Sequence, residues 1–173
     1  MKKFLKYSGI CALLLAVVAF VLQLATPAIV NSATVLGSKI SAETAGTVAI
    51  FGKTESTALG DVVTKGSVMA LIGWILAVVG LVIVLCGVIL PLLKVNALEK
   101  FAGVLNLCAV VCFVLAGVFM FFVVPTFYAA NGADDVPSTA GIGAGWIIGA
   151  IVYIVAGAIA ILPAVMDFLG KKK

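Results

Sequence analysis

Chemistry in this chain has few residues to draw on. It contains no histidine, and its basic residues are all lysine. Gly52-Lys53-Thr54 has the ending of a phosphate-binding loop, but that loop needs four residues between its glycines, and Gly46 to Gly52 leaves five. Serines occur with no histidine to activate them, so the usual triad cannot form. Cys108 and Cys112 are four apart and share a helical face, yet no other ligand type accompanies them. With Cys11 and Cys86 they fall in apolar stretches and read as small reduced side chains packed between helices. The polar residues left inside apolar surroundings are Gln23, Asn106 and Tyr153. Side chains of this kind bond helix to helix, whereas ion and proton pathways ordinarily use ionisable groups. The expectation is a protein that is not an enzyme, with no catalytic residue, no cofactor and no metal.

Those residues sit on a chain suited to lipid. Of 173 residues, 64% are hydrophobic and only 10% charged, and mean hydropathy is +1.34. A soluble domain carries about 25% charge. The composition predicts an all-α transmembrane fold, a four-helix bundle forming one membrane domain over residues 1–173. Span one runs from about Phe4 to Val30, span two from Ser67 to Leu93, span three from Phe101 to Tyr128 and span four from Ala140 to Phe168. Each exceeds the roughly 20 residues that cross a bilayer. A signal peptide would have an apolar core of about 7–15 residues. Span one is longer, so it is expected to be a retained helix. Residues 31–66 form a first loop, 94–100 a short turn, 129–139 a second loop and 169–173 a tail.

The lysines set the orientation. Lys2, Lys3, Lys6, Lys94, Lys100, Lys171, Lys172 and Lys173 fall on one side. Lys39, Lys53 and Lys65 fall on the other, diluted by Glu43, Glu55, Asp61, Asp134 and Asp135. The positive-inside rule then puts both termini in the cytoplasm and the two larger loops outside. The formal charge of +4 follows topology, and no nucleic-acid partner is implied.

The first loop carries β signals. Thr47-Val48-Ala49-Ile50-Phe51 is β-prone, Gly52 to Ser56 supplies turn residues, and Thr57 to Thr64 is a returning strand with Val62-Val63 as its apolar part. Ala33 to Leu36 offers a third strand. The loop has no cysteine, so a β-rich extracellular cap must hold by strand pairing and by resting on the helices. Thr47, Val48, Ile50, Phe51, Val62 and Val63 form the candidate interaction surface.

Span two contains Gly73-Trp74-Ile75 and then Pro91; span four contains Gly145-Trp146-Ile147 and then Pro163, at a common offset of 72 residues. Two helical hairpins in tandem would produce this pattern. Trp74 and Trp146 stand near the outer span ends, where interfacial aromatics belong. Gly73, Gly80 and Gly87 repeat at seven, and Gly141, Gly145 and Gly149 at four. Small residues so spaced bring helix backbones close, either within the bundle or between copies. Pro27, Pro125, Pro91 and Pro163 lie near span ends, which favours a rigid bundle.

Four helices, cytoplasmic termini, a long β-rich first external loop and a short second one resemble the claudin and peripheral-myelin type of tetraspan proteins. That family carries Trp, Gly-Leu-Trp and a cysteine pair in its first loop. Residues 31–66 contain neither Trp nor Cys, so no family site is carried over. The β-like cap and the absence of ionisable groups deep in the spans point to a structural or interaction role in the cytoplasmic membrane, and the lysine-only basic complement with compact loops fits a small bacterial membrane protein. The partners are the lipid bilayer and either a second copy or another membrane protein, engaged through the β-rich loop and the small-residue helix faces. The alternative is a subunit of an oligomeric channel or small transporter, drawing on Gln23 and Asn106.

Overall fold

The computed structural model describes residues 2–35, 38–58, 60–92 and 102–170. The 94–100 turn and the terminal lysines 171–173 lie outside the described residues. The chain is a helical membrane protein. Among the described residues four helices are long and apolar enough to cross a bilayer: α1 (Lys2–Ala25), α3 (Val68–Leu92), α4 (Ala102–Met120) and α6 (Ala144–Gly170). Between them lie β1 (Pro27–Val35), β2 (Ser38–Ala45), α2 (Gly46–Phe51), β3 (Lys53–Thr57), β4 (Gly60–Thr64), α5 (Val123–Ala130) and β5 (Ala140–Ile142).

Helix α6 packs along α4 and α1, and α4 also packs along α3. Small residues line the interior. Ala12, Ala16 and Ala19 on α1, Ala70 and Ala77 on α3, Ala109 and Ala116 on α4, and Ala150, Ala156 and Ala160 on α6 are all buried. Large aliphatics such as Leu14, Val18, Val82, Leu107 and Ile151 point outward. Lipid tails are as apolar as leucine, so burial of leucine drives nothing in a bilayer, and close backbone approach between small residues does. Phe113, Met120, Trp146 and Tyr153 fill the spaces the alanines leave.

The glycines join this packing inside the chain. A methyl group on Gly80 would stand 2.7 Å from a Phe113 ring carbon, and one on Gly73 3.4 Å from Ala116 O. Gly149 lies against Met120 and Ala19, Gly145 against the Thr26 side chain, and Gly87 faces Asn106. Gly117, closing on Ala150 O, and Gly157, closing on Val114, belong to the same set. Gly141 does not. It lies in β5 opposite Val30, with open space where a side chain would be.

Span ends depart from expectation where proline intervenes. Helix α1 stops at Ala25, not Val30, because the residue before a proline avoids the helical region and Thr26 precedes Pro27. The Thr26 amide and hydroxyl both donate to Leu22 O, closing the helix end. Span three is not continuous to Tyr128. Helix α4 ends at Met120 and α5 begins at Val123, with Phe121 and Phe122 donating to Val118 O and Phe119 O. The break falls at the carbonyl that Pro125 would crowd and could not bond. Span four starts later than Ala140, since 140–142 is strand.

The cap differs most from its sequence reading. Residues 47–51 form no strand; they belong to α2, which buries Gly46, Ala49 and Ile50. A helical turn sets Ala49 and Ile50 toward the bundle together, whereas a strand would send one of them to water. Gly46 has no room for a side chain against Gln23 O, so the chain can enter that turn only as glycine. Residues 53–56 are strand rather than turn, and the returning strand begins at Gly60. The segment 33–35 is the end of β1 and pairs with β2, not with the β3–β4 hairpin; Leu36 lies outside the described residues. The result is a three-stranded antiparallel sheet, ordered β2-β1-β5, beside a separate two-stranded hairpin.

Candidate functional site

Where the cap meets the bundle, polar groups converge on Gln23. Its side chain is fully buried. Its main-chain carbonyl lies in the last turn of α1, where helical partners run out. The indole Nε1 of Trp146 donates to that carbonyl at 2.9 Å. The Tyr153 hydroxyl donates to Gln23 Oε1 at 3.2 Å. Gln23 Nε2 meets no partner among the described residues. This cluster fixes α6 against α1; it holds no charge and no nucleophile in position for a reaction.

Asn106 is not brought to it. It stands near the opposite end of the bundle, with Oδ1 3.6 Å from where Gly87 would carry a side chain. Phe113 and Met120, both buried, occupy the interior between the two levels. The two polar candidates are therefore not brought together. Trp146, expected at the lipid interface, is instead a buried donor, while Trp74 is half-buried against the core. The Trp74 ring meets Phe51 edge-on, with centroids 5.1 Å apart, and lies 6.4 Å from Phe20.

The second loop holds the first in place. Lys65 N–H donates to Asn131 Oδ1 at 2.8 Å, and Asn131 Nδ2 donates to Lys65 O at 2.9 Å. The Tyr128 hydroxyl donates to Asn31 Oδ1 at 2.9 Å. Ser67 Oγ accepts from Ala70 N–H as the cap of α3 and shares a hydrogen bond with Thr126 Oγ1. Ser67 N–H donates to Ala49 O, tying α2 to α3. None of these partners is visible as a motif; Asn131-Gly132 signals only a turn.

The surface residues divide once the fold is known. Ile50 is buried and so is not free to meet a partner, while Val48 is half-buried. Phe51 is exposed beside Trp74 on the flank of α3, in line with the outward-facing aliphatics. Thr47 is exposed, as are Val62 and Val63 at 53% and 61%. Strands β3 and β4 are exposed on both faces apart from a half-buried Thr64. Lys53 Nζ lies 2.6 Å from Glu55 Oε1, and the Ser56 hydroxyl donates to Asp61. Lys53 holds the Glu55 carboxyl below the usual glutamate range, through its hydrogen bond first and its charge second. Strand β2, which the sequence reading left out of the candidate surface, forms the outer edge of the larger sheet, with Ser38, Ile40, Ser41, Ala42 and Glu43 exposed. A split into outward polar and buried apolar positions could not have marked it, because both of its faces are wet. Neither a family model nor a curated protein sequence matches the chain.

Proposed function

We propose that the protein is a non-enzymatic component of a cell membrane that assembles, with its own kind or with another membrane protein, through the external β layer. One observation carries this reading. In a chain that packs its glycines and alanines inward, the β3–β4 hairpin and the β2 edge are left exposed, Val62 and Val63 among them. An unpaired strand edge is a template for further strand addition. The lysine asymmetry supports an orientation with termini in the cytoplasm and the β layer outside. Of the small-residue faces, Gly73, Gly80, Gly145 and Gly149 lie against their own chain, which favours the β layer as the contact. The channel alternative draws less support, because the Gln23 side chain is buried within one chain and accepts from Tyr153.

The test is oligomer size in native membrane or lipid nanodiscs, counted by single-molecule photobleaching. Gly52 lies against Thr64 O, so residues 53–64 can be replaced by a short Gly/Ser link without moving α2 or Lys65. Ser41→Pro on the same chain removes an edge donor. The full chain is expected in assemblies and this variant as single copies, with helix insertion retained. A full chain that is already single, or a variant of unchanged size, overturns the reading.

A further inference from the structure

The geometry points to the partner of one edge: a second copy of this chain, its β2 paired antiparallel with β2 about Ser41. This deepens the assembly reading above and rests on it.

The first step is to find which β2 main-chain groups face outward. On β1, Ala28 O accepts from Gly143 N–H at 2.9 Å and Ser32 N–H donates to Thr139 O at 3.3 Å. The even-numbered positions of β1 therefore turn toward β5. The odd-numbered ones turn toward β2, where Ile29, Asn31, Ala33 and Val35 stand opposite Thr44, Ala42, Ile40 and Ser38. Opposed residues in an antiparallel ladder alternate between bonded and non-bonded pairs. So Thr44, Ala42, Ile40 and Ser38 spend their N–H and C=O groups on β1. Lys39, Ser41 and Glu43 present theirs on the side that has no neighbouring strand among the described residues.

The second step is charge. Lys39 and Glu43 lie two positions either side of Ser41. Pairing two copies about Ser41 sets Lys39 opposite Glu43 of the partner subunit, Glu43 opposite Lys39 of the partner subunit, and Ser41 opposite itself. All three outward positions then fall in bonded pairs, each exchanging two main-chain hydrogen bonds. The same register sets Ile40, itself exposed, across from Ala42 on the other face. A register centred on Lys39 or on Glu43 puts like charges opposite each other, which destabilises a pair. One centred on Ile40 or Ala42 leaves a charge facing Ser41. Only the Ser41 register satisfies both charges, and a two-fold contact of this kind closes on itself.

The experiment uses the full chain in membranes, with Cys11, Cys86, Cys108 and Cys112 replaced by alanine and insertion confirmed. Bonded antiparallel pairs stand about 5.5 Å apart at Cα, within the range a disulfide bridges. Ser41→Cys is expected to form a linked dimer under mild oxidant, and Ile40→Cys, which does not face itself, to form far less. On the Ser41→Cys chain, Lys39→Glu or Glu43→Lys alone is expected to lower the linked fraction about tenfold. Mixing the two variants restores it, because each then meets its opposite charge. Co-expression reports pairing within one membrane and mixing of separate vesicles pairing across two; recovery in either supports the contact. Absence of the Ser41→Cys link, insensitivity to Lys39→Glu, or no recovery on mixing overturns it. If the link is absent while the double loop variant still changes oligomer size, the β2 contact fails and assembly through the external layer stands.

Discussion

The side-chain amide of Asn131 pairs with the main chain of Lys65 as a neighbouring strand would, accepting from its N–H at 2.8 Å and donating to its carbonyl at 2.9 Å. Asn131 Nδ2 also reaches Phe127 O, which anchors the amide to the end of α5. The foot of the β3–β4 hairpin is thus closed by a residue 66 positions away. Each such bond contributes about 1 kcal/mol net. Asn131→Ala is expected to speed amide exchange at Lys65 roughly tenfold while leaving mid-helix amides of α3 unchanged. Equal protection at Lys65 in both proteins would show that the hairpin foot is held by something else.

Gln23 and Tyr153 make a second testable pair. Tyr153→Phe removes only a hydroxyl and strips the buried Gln23 amide of the one side-chain hydrogen bond it makes among the described residues. An orphaned buried polar group costs about 1–3 kcal/mol. Gln23→Leu on that background removes the orphan, along with an Nε2 that meets no partner among the described residues. The double variant is expected to unfold in mixed micelles at a stability near the parent's and above that of Tyr153→Phe. A double variant less stable than Tyr153→Phe would mean that the glutamine does more than accept this bond.

That pair shows where sequence reading ended. The four spans were legible because an apolar run of such length has one interpretation in water or lipid. Their ends were not. Pro27-Ala28-Ile29-Val30 continues the apolar run and yet turns into strand, since proline forbids the helix and β5 lies waiting to pair. Residues 47–51 were misread because local β preference gives way when tertiary packing wants Ala49 and Ile50 on the same side. Of the hairpin only the returning strand was legible; the residues read as its turn are its first strand, and the chain reverses between Thr57 and Gly60. Trp74 and Trp146 match in the sequence repeat and diverge in space, one beside Phe51 and the other bonded to Gln23 O. Partners more than a hundred residues apart, such as Gln23 and Tyr153, leave no mark in spacing.

Glu55 supplies a pH-dependent readout on the exposed hairpin. Lys53 lowers its pKa, so the ion pair is complete above the ordinary carboxylate range and is lost as pH falls through the lowered folded-state value. A carboxyl-carbon NMR titration is expected to give a Glu55 midpoint below that of an unstructured peptide of the same sequence. Lys53→Met should move it back up, and high salt should shrink the difference, because the pair is open to solvent. A midpoint indifferent to Lys53→Met would remove the pair from the solution structure.

The glycines separate packing within the bundle from packing between copies. Alanine at Gly117 would place its methyl 2.7 Å from Ala150 O, a main-chain atom of the facing helix that cannot turn aside. At Gly149 the nearest atoms stand at 3.3 and 3.5 Å, and at Gly141 nothing lies within 4 Å. Alanine is the better helix former, so a helical site without a clash should gain slightly. Forced overpacking costs about 1–3 kcal/mol. Gly117→Ala is therefore expected to be the most destabilising of the three in detergent unfolding, Gly149→Ala mild, and Gly141→Ala within about 0.5 kcal/mol of the parent. Gly117→Ala and Gly149→Ala should leave oligomer size unchanged while the bundle stays folded, because both glycines face their own chain. A Gly149→Ala protein that unfolds like the parent but assembles differently would return the α6 glycines to an interface between copies.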